Sequence, residues 1–132
     1  MLIEIRKNKA IADLQYDFSQ LYPFLKLDFY KNTIGRLGSM IKQKLNKTML
    51  LNIAGNGKEG DLEISDSMIV AQLEKTFQNR FGITVQVSRK SGAIWLETTM
   101  TDNWSLKQQS DHGRELSTPA NTIMPDIEMD YD

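Results

Sequence analysis

The sequence predicts an α+β fold, a small mixed or antiparallel sheet with helices packed on it. Three observations lead there. Apolar and polar residues alternate with a period of two in several short runs, apolar stripes at helical spacing separate those runs, and Gly-rich punctuation between runs argues for hairpins rather than parallel crossovers. With 132 residues, 40% of them hydrophobic and 25% charged, the chain is long enough for one well-buried core. We read residues 1–117 as a single domain and 118–132 as an acidic, disordered tail.

Each element follows in order. Leu2 to Arg6, with Ile3 and Ile5 on one face, reads as a strand. From Lys9 to Tyr22 the residues Ile11, Leu14, Phe18, Leu21 and Tyr22 form one helical stripe, which Pro23 stops. Leu25, Leu27 and Phe29 then alternate with Lys26, Asp28 and Tyr30, the pattern of a half-buried strand. Between Thr33 and Lys47, Ile34, Leu37, Ile41 and Leu45 again suggest a helix, although Gly35 and Gly38 weigh against it. Thr48–Ala54 and Asp61–Ser65 read as two strands joined through Gly55-Asn56-Gly57.

Ser65 and Asp66 offer capping oxygens to a helix carrying Ile69, Leu73, Phe77 and Phe81, and Gly82 supplies a left-handed residue at its end. Ile83, Val85 and Val87, then Ile94, Leu96 and Thr98, alternate on either side of Arg89-Lys90-Ser91-Gly92 and predict a second hairpin. A last short helix capped by Thr101 or Asp102 contains Trp104 and Leu106 and stops at Gly113. No internal repeat is visible at this level. The order within 48–100 resembles that of β-grasp (ubiquitin-like) domains, with a ferredoxin-like sheet as the alternative. The C-terminus lacks the Gly-Gly end through which ubiquitin-like modifiers are conjugated, so the resemblance concerns element order alone.

The chain has no cysteine, which removes disulfides, thiolate nucleophiles and Cys-ligated metals and suits a reducing compartment; we expect a cytoplasmic protein. No basic-then-apolar leader and no apolar run long enough to span a bilayer is present, so no membrane partner is expected. GNGKEG at 55–60 matches G-x-G-x-x-G, but a strand-like DLEI follows it instead of a helix, and Glu59 and Asp61 would repel phosphate. It reads as a turn. His112 beside Asp111 suggests a His–Asp pair with Ser110 or Ser117, yet neighbours on a helix point about 100° apart. Asp102, Asp111 and His112 have no established metal-site spacing. We therefore assign no catalytic, cofactor or metal residue.

Charge is unevenly distributed. The net charge is −1, but four acids crowd the tail, and without 118–132 the remaining 16 cations and 13 anions leave the body at +3. Between Asp28 and Glu59 lie Lys31, Arg36, Lys42, Lys44, Lys47 and Lys58 without one acid. On a helix over 33–47, Arg36, Met40, Gln43, Lys44 and Lys47 gather on one side as a basic strip. Trp95 alternates to the face opposite Ile94 and Leu96, where Trp104 and Leu106 are expected to fold back over it. The tail alternates Ile127, Met129 and Tyr131 with acids. Arg36, Lys44, Lys47, Trp95, Ile127, Met129 and Tyr131 are accordingly the candidate partner-binding residues, with the tail docking on the basic face. The functional expectation is a non-enzymatic protein-interaction or adaptor module without a cofactor. A nucleic-acid binder using the basic face within 31–58 is the first rival, and a small enzyme the second.

Overall fold

The structure, a computed structural model, describes residues 1–118. Strand β1 (Leu2–Ile5) leads into helix α1 (Ile11–Leu21). Strands β2 (Leu25–Ile34) and β3 (Met40–Lys44) follow, then a one-turn helix α2 (Leu51–Ala54), strand β4 (Gly60–Glu63) and helix α3 (Val70–Phe81). Strands β5 (Thr84–Ser91) and β6 (Ile94–Glu97) precede a 3₁₀ turn (Thr99–Thr101) and helix α4 (Leu106–Ser117). All strand pairs are antiparallel. β1 pairs with β4, and the other four form one sheet in the order β3-β2-β5-β6. The fold is thus α+β with helices packed on antiparallel sheets, and the tail residues Ile127, Met129 and Tyr131, expected to bind a partner, lie outside the described residues.

The two strong helical stripes supply the core. Ile11, Leu14 and Phe18 of α1 and Val70, Leu73, Phe77 and Phe81 of α3 are buried together with Leu25, Leu27 and Phe29 of β2, Val85 and Val87 of β5, and Ile3, Ile5, Leu62 and Ile64. Gly82 takes the left-handed conformation, φ +63°, that closes α3.

Four local expectations are corrected. Residues 33–47 are not a helix: β2 runs on to Ile34, residues 35–39 turn, and β3 returns with Ile34 opposite Met40. The two glycines decide this, since Gly38 sits at φ +81° and its N–H donates to the Gly35 carbonyl within the turn. Residues 48–54 contain α2 instead of a strand, so the first strand of the β-grasp order is missing and GNGKEG links a helix to β4. Residues 48–54 carry neither an alternating nor a helical stripe, only Leu51 among them is buried, and the segment crosses the start of α1. The helix caps also differ. Ile69 precedes α3, while Ser105 caps α4 by accepting from the Gln108 N–H, and α4 continues through Gly113 to Ser117.

The fourth correction concerns repeats, because the chain contains one. The order βαββα occurs twice, as β1-α1-β2-β3-α2 and as β4-α3-β5-β6-α4. Ile3, Ile11, Leu14, Phe18 and Tyr22 recur 59 positions on as Leu62, Val70, Leu73, Phe77 and Phe81, all buried. Backbone bonding repeats as well. The Ile11 and Ala12 N–H groups donate to the Met49 and Lys47 carbonyls at 2.9 and 2.8 Å, while Val70 and Ala71 donate to Trp104 and Asp102 at 3.0 and 2.8 Å. Leu51 and Asn52 donate to Lys9 and Lys7, just as Leu106 and Lys107 donate to Met68 and Asp66. The orphan N–H groups at these helix starts are thereby satisfied by carbonyls of a neighbouring segment, which removes the need for side-chain caps at α1 and α3. Both central pairings, β1 with β4 and β2 with β5, join one half to the other about a pseudo-two-fold axis.

Candidate interaction face on the sheet

Alternation gives the four-stranded sheet two unlike faces. Leu25, Leu27, Phe29, Val85 and Val87 face the helices. The registers Lys26 with Ser88, Tyr30 with Lys44, Asn32 with Lys42 and Lys90 with Trp95 gather Lys26, Asp28 and Tyr30, Lys42 and Lys44, Ser88 and Lys90, and Trp95 and Glu97 on the other face.

Long cationic side chains lie across that open face. Asp28, buried despite its charge, is held by Lys44 at 3.3 Å and Lys26 at 3.7 Å and accepts from the Ser88 hydroxyl at 3.2 Å. A carboxylate removed from water needs such partners, and in return it fixes both lysines against the sheet. Lys26 stands 5.1 Å and Lys90 6.0 Å from the Trp95 ring centroid. Lys42 covers the Tyr30 ring at 4.4 Å and comes within 3.9 Å of Glu97, to which the Tyr30 hydroxyl also donates. Burial first, then the charges of Asp28 and Glu97 and the bond to Glu97, push the Tyr30 hydroxyl up to about 12, so it stays a donor at neutral pH. Four lysines against two acids leave the face with a surplus of two positive charges.

The face ends at β3, a sheet edge. All five β3 residues are exposed. The register Lys31 with Gln43 and Thr33 with Ile41, continued by the Leu45 N–H donating to the Phe29 carbonyl, spends the odd-numbered backbone groups on β2. Those of Met40, Lys42 and Lys44 point outward.

The candidate partner-binding residues are dispersed relative to the expected strip. Lys44 belongs to the open face, Arg36 sits in the β2–β3 turn, and Lys47 follows β3 with its carbonyl bound by α1. Trp95 is on the open face and 38% exposed, but Trp104 does not fold over it. Trp104 stacks on Arg89, on the opposite face, and meets the His112 ring edge-on. Lys26, Tyr30, Lys42 and Lys90 are functional candidates that the helical reading of 33–47 missed. Alternation at 26–30 and 40–44 was the available signal, whereas the register joining them was not visible.

The remaining motifs assemble no catalytic set among the described residues. The carboxylate of Asp111 bonds Lys107 and Arg114, each at 2.7 Å, and these bonds hold it below the usual carboxylate range. His112 instead faces Glu115 at 3.6 Å. A cleft of about 340 Å³ beside α4 contains Tyr22, Asp66, Lys107, Asp111 and Arg114, but Asp66 accepts from the Tyr22 hydroxyl and the other three pair with one another. In GNGKEG, Gly57 has φ +80° and the Asn56 side chain accepts from the Lys58 N–H. The Glu59 carboxylate accepts from the Lys7 N–H, filling a place a phosphate would need. No three His, Asp or Glu residues converge as a metal site among the described residues.

Comparison with protein-family models, curated proteins and solved structures finds no match to this chain.

Proposed function

We propose that this protein is a non-enzymatic interaction module that takes up an extended, acidic protein segment along the outer edge of β3. The observation that carries this reading is an exposed edge strand whose free backbone groups belong to Met40, Lys42 and Lys44, the two lysines lying on a cationic face. Strand addition supplies affinity through the main chain, and alternate side chains supply selectivity. Lysines on an edge oppose pairing with a second copy of the same strand, because like charges would then meet across the ladder, and they favour a strand bearing carboxylates. The chain's own DIEMDYD, with Ile127, Met129 and Tyr131 between acids, has the required alternation and defines the first peptide to try.

Fluorescence anisotropy of that labelled peptide with the full chain is the test. Binding is expected to weaken with salt and to fall several-fold in Lys42→Gln/Lys44→Gln, each exposed pair contributing about 0–1 kcal/mol. Of the backbone groups, Lys42→Pro removes an outward N–H alone, and it should abolish binding where Lys42→Gln, which loses the same charge, only weakens it, with the fold intact in both. Unchanged binding in the proline variant would refute edge pairing. A second reading, single-stranded nucleic acid, is favoured by the lysine-flanked Tyr30 and Trp95 rings. It predicts oligonucleotide binding lost in Trp95→Ala and weakened equally by Lys42→Gln and Lys42→Pro, because it uses the Lys42 ammonium beside Tyr30 and not the backbone N–H.

A further inference from the structure

The two halves close their sheet hairpins differently. β5 and β6 are joined by Gly92 and Ala93, with φ positive only at Gly92, a two-residue turn. β2 and β3 use five residues, 35–39, and continue beyond β5, whose first residue, Thr84, lies opposite Tyr30. Residues 31–34 and 40–43 therefore project as a ribbon with no third strand beside them.

Its end is apolar and open. Ile34 is 75% exposed, Leu37 93%, Met40 66% and Ile41 48%, and none belongs to the core. The equivalent place in the other half closes with two residues, so folding does not require this extension. Exposed apolar residues gathered at one end of a ribbon mark an interaction surface. The charge around it selects the occupant: Lys31, Arg36 and Lys42 flank the tip, no acid lies between Asp28 and Glu59 in sequence, and Glu97, 3.9 Å from Lys42, offsets one of the three cations in space. A hydrophobic pocket on a protein would satisfy the apolar residues alone. An anionic lipid surface satisfies both, offering acyl chains to the apex and phosphates to a cationic collar.

We propose that the β2–β3 tip is a peripheral membrane anchor, with Leu37 entering the interface of an anionic bilayer and Lys31, Arg36 and Lys42 resting on its headgroups. No helix among the described residues is long and apolar enough to cross a membrane, so attachment is from one side. This proposal shares Lys42 with peptide capture but rests on the apex, and Arg36 and Leu37, which its test changes, lie outside the β3 edge.

Flotation of the full chain with phosphatidylcholine vesicles, with and without about a third phosphatidylserine, tests it. Binding to the anionic vesicles alone is expected, falling with added salt. Leu37→Ser and Arg36→Glu, both at exposed positions, should each weaken it by roughly tenfold with circular dichroism unchanged. In Leu37→Trp, fluorescence should shift to the blue on the same vesicles. Absence of flotation, or equal flotation with neutral vesicles, overturns the proposal. So does a concentration-dependent oligomer, seen by light scattering, that Leu37→Ser dissolves while flotation persists, since the tip would then be a contact between copies.

Discussion

At the scale of single residues, Glu74 shows how the fold handles a strand whose neighbour stops early. β6 ends at Glu97, leaving the Val87 N–H on β5 without a ladder acceptor, and the Glu74 carboxylate on α3 takes that bond at 3.0 Å and one from the Gln86 amide at 3.3 Å. Its counterpart on α1, Gln15, donates its amide to the Leu27 carbonyl of β2 at 2.7 Å, serving the same purpose without charge. Burial raises the Glu74 pKa, and the Val87 N–H only partly opposes it. A carboxyl whose folded-state pKa lies above its unfolded value binds its proton more tightly when folded. Its contribution to stability is therefore complete below the unfolded pKa and is lost as pH rises through the folded one. Glu74→Gln keeps an acceptor for Val87 and discards the charge. Its denaturation midpoint should exceed the parent's at pH 7, with the gap closing towards pH 4, as urea titrations at the two pH values will show. A lower midpoint at pH 7 would mean that the charge-assisted bond outweighs burial.

Among elements, α4 supplies the sharpest test, because Gly113 lies inside it where sequence alone suggested a stop. A Cβ there would lie 3.0 Å from Arg89 Cγ and 3.1 Å from both Phe24 Cβ and the Phe24 carbonyl oxygen. The glycine is a packing requirement, since the helix presses on the sheet at this point. On an exposed helix, glycine to alanine gains roughly 0.5–1 kcal/mol. Gly113→Ala should instead cost about 1–3 kcal/mol through overpacking, measured by chemical denaturation. What the sequence reveals about elements follows the same logic. α1, α3, β1, β2 and β5 are legible because a buried stripe or alternation marks them. β3 is not, because no β3 side chain is buried to mark a period, and Ile34, Leu37, Ile41 and Leu45 fall at helical intervals only because a five-residue turn spaces them. At the open face, alternation exposes Lys26 and Tyr30, but only the register brings Lys42, Lys90 and Trp95 beside them.

Across the whole molecule, the duplicated βαββα unit divides what is common from what is added. The shared parts are buried: the stripe of α1 and α3, the central strands and the backbone bonds at the helix starts. The halves differ in the five-residue tip of the first and the long α4 of the second, where the first has the single turn of α2. The repeat was obscured in the sequence because those differences break a constant offset after Phe81. Its consequence is kinetic. β1 meets β4 with Ile3 opposite Leu62, and β2 meets β5 with Leu27 opposite Val87, so each half holds only the outer partner of its sheet strand, β3 for β2 and β6 for β5, and none for β1 or β4. Pairings this distant in sequence impose loop-closure entropy before contacts offset it, which places folding in the slower range of small domains. During synthesis the first half must wait, β1 and the second edge of β2 unmatched, until β5 has left the ribosome. In pulsed hydrogen exchange during refolding, amides of β1, β4, β2 and β5 should gain protection in one common phase. Early protection of one half alone would show that each unit folds by itself.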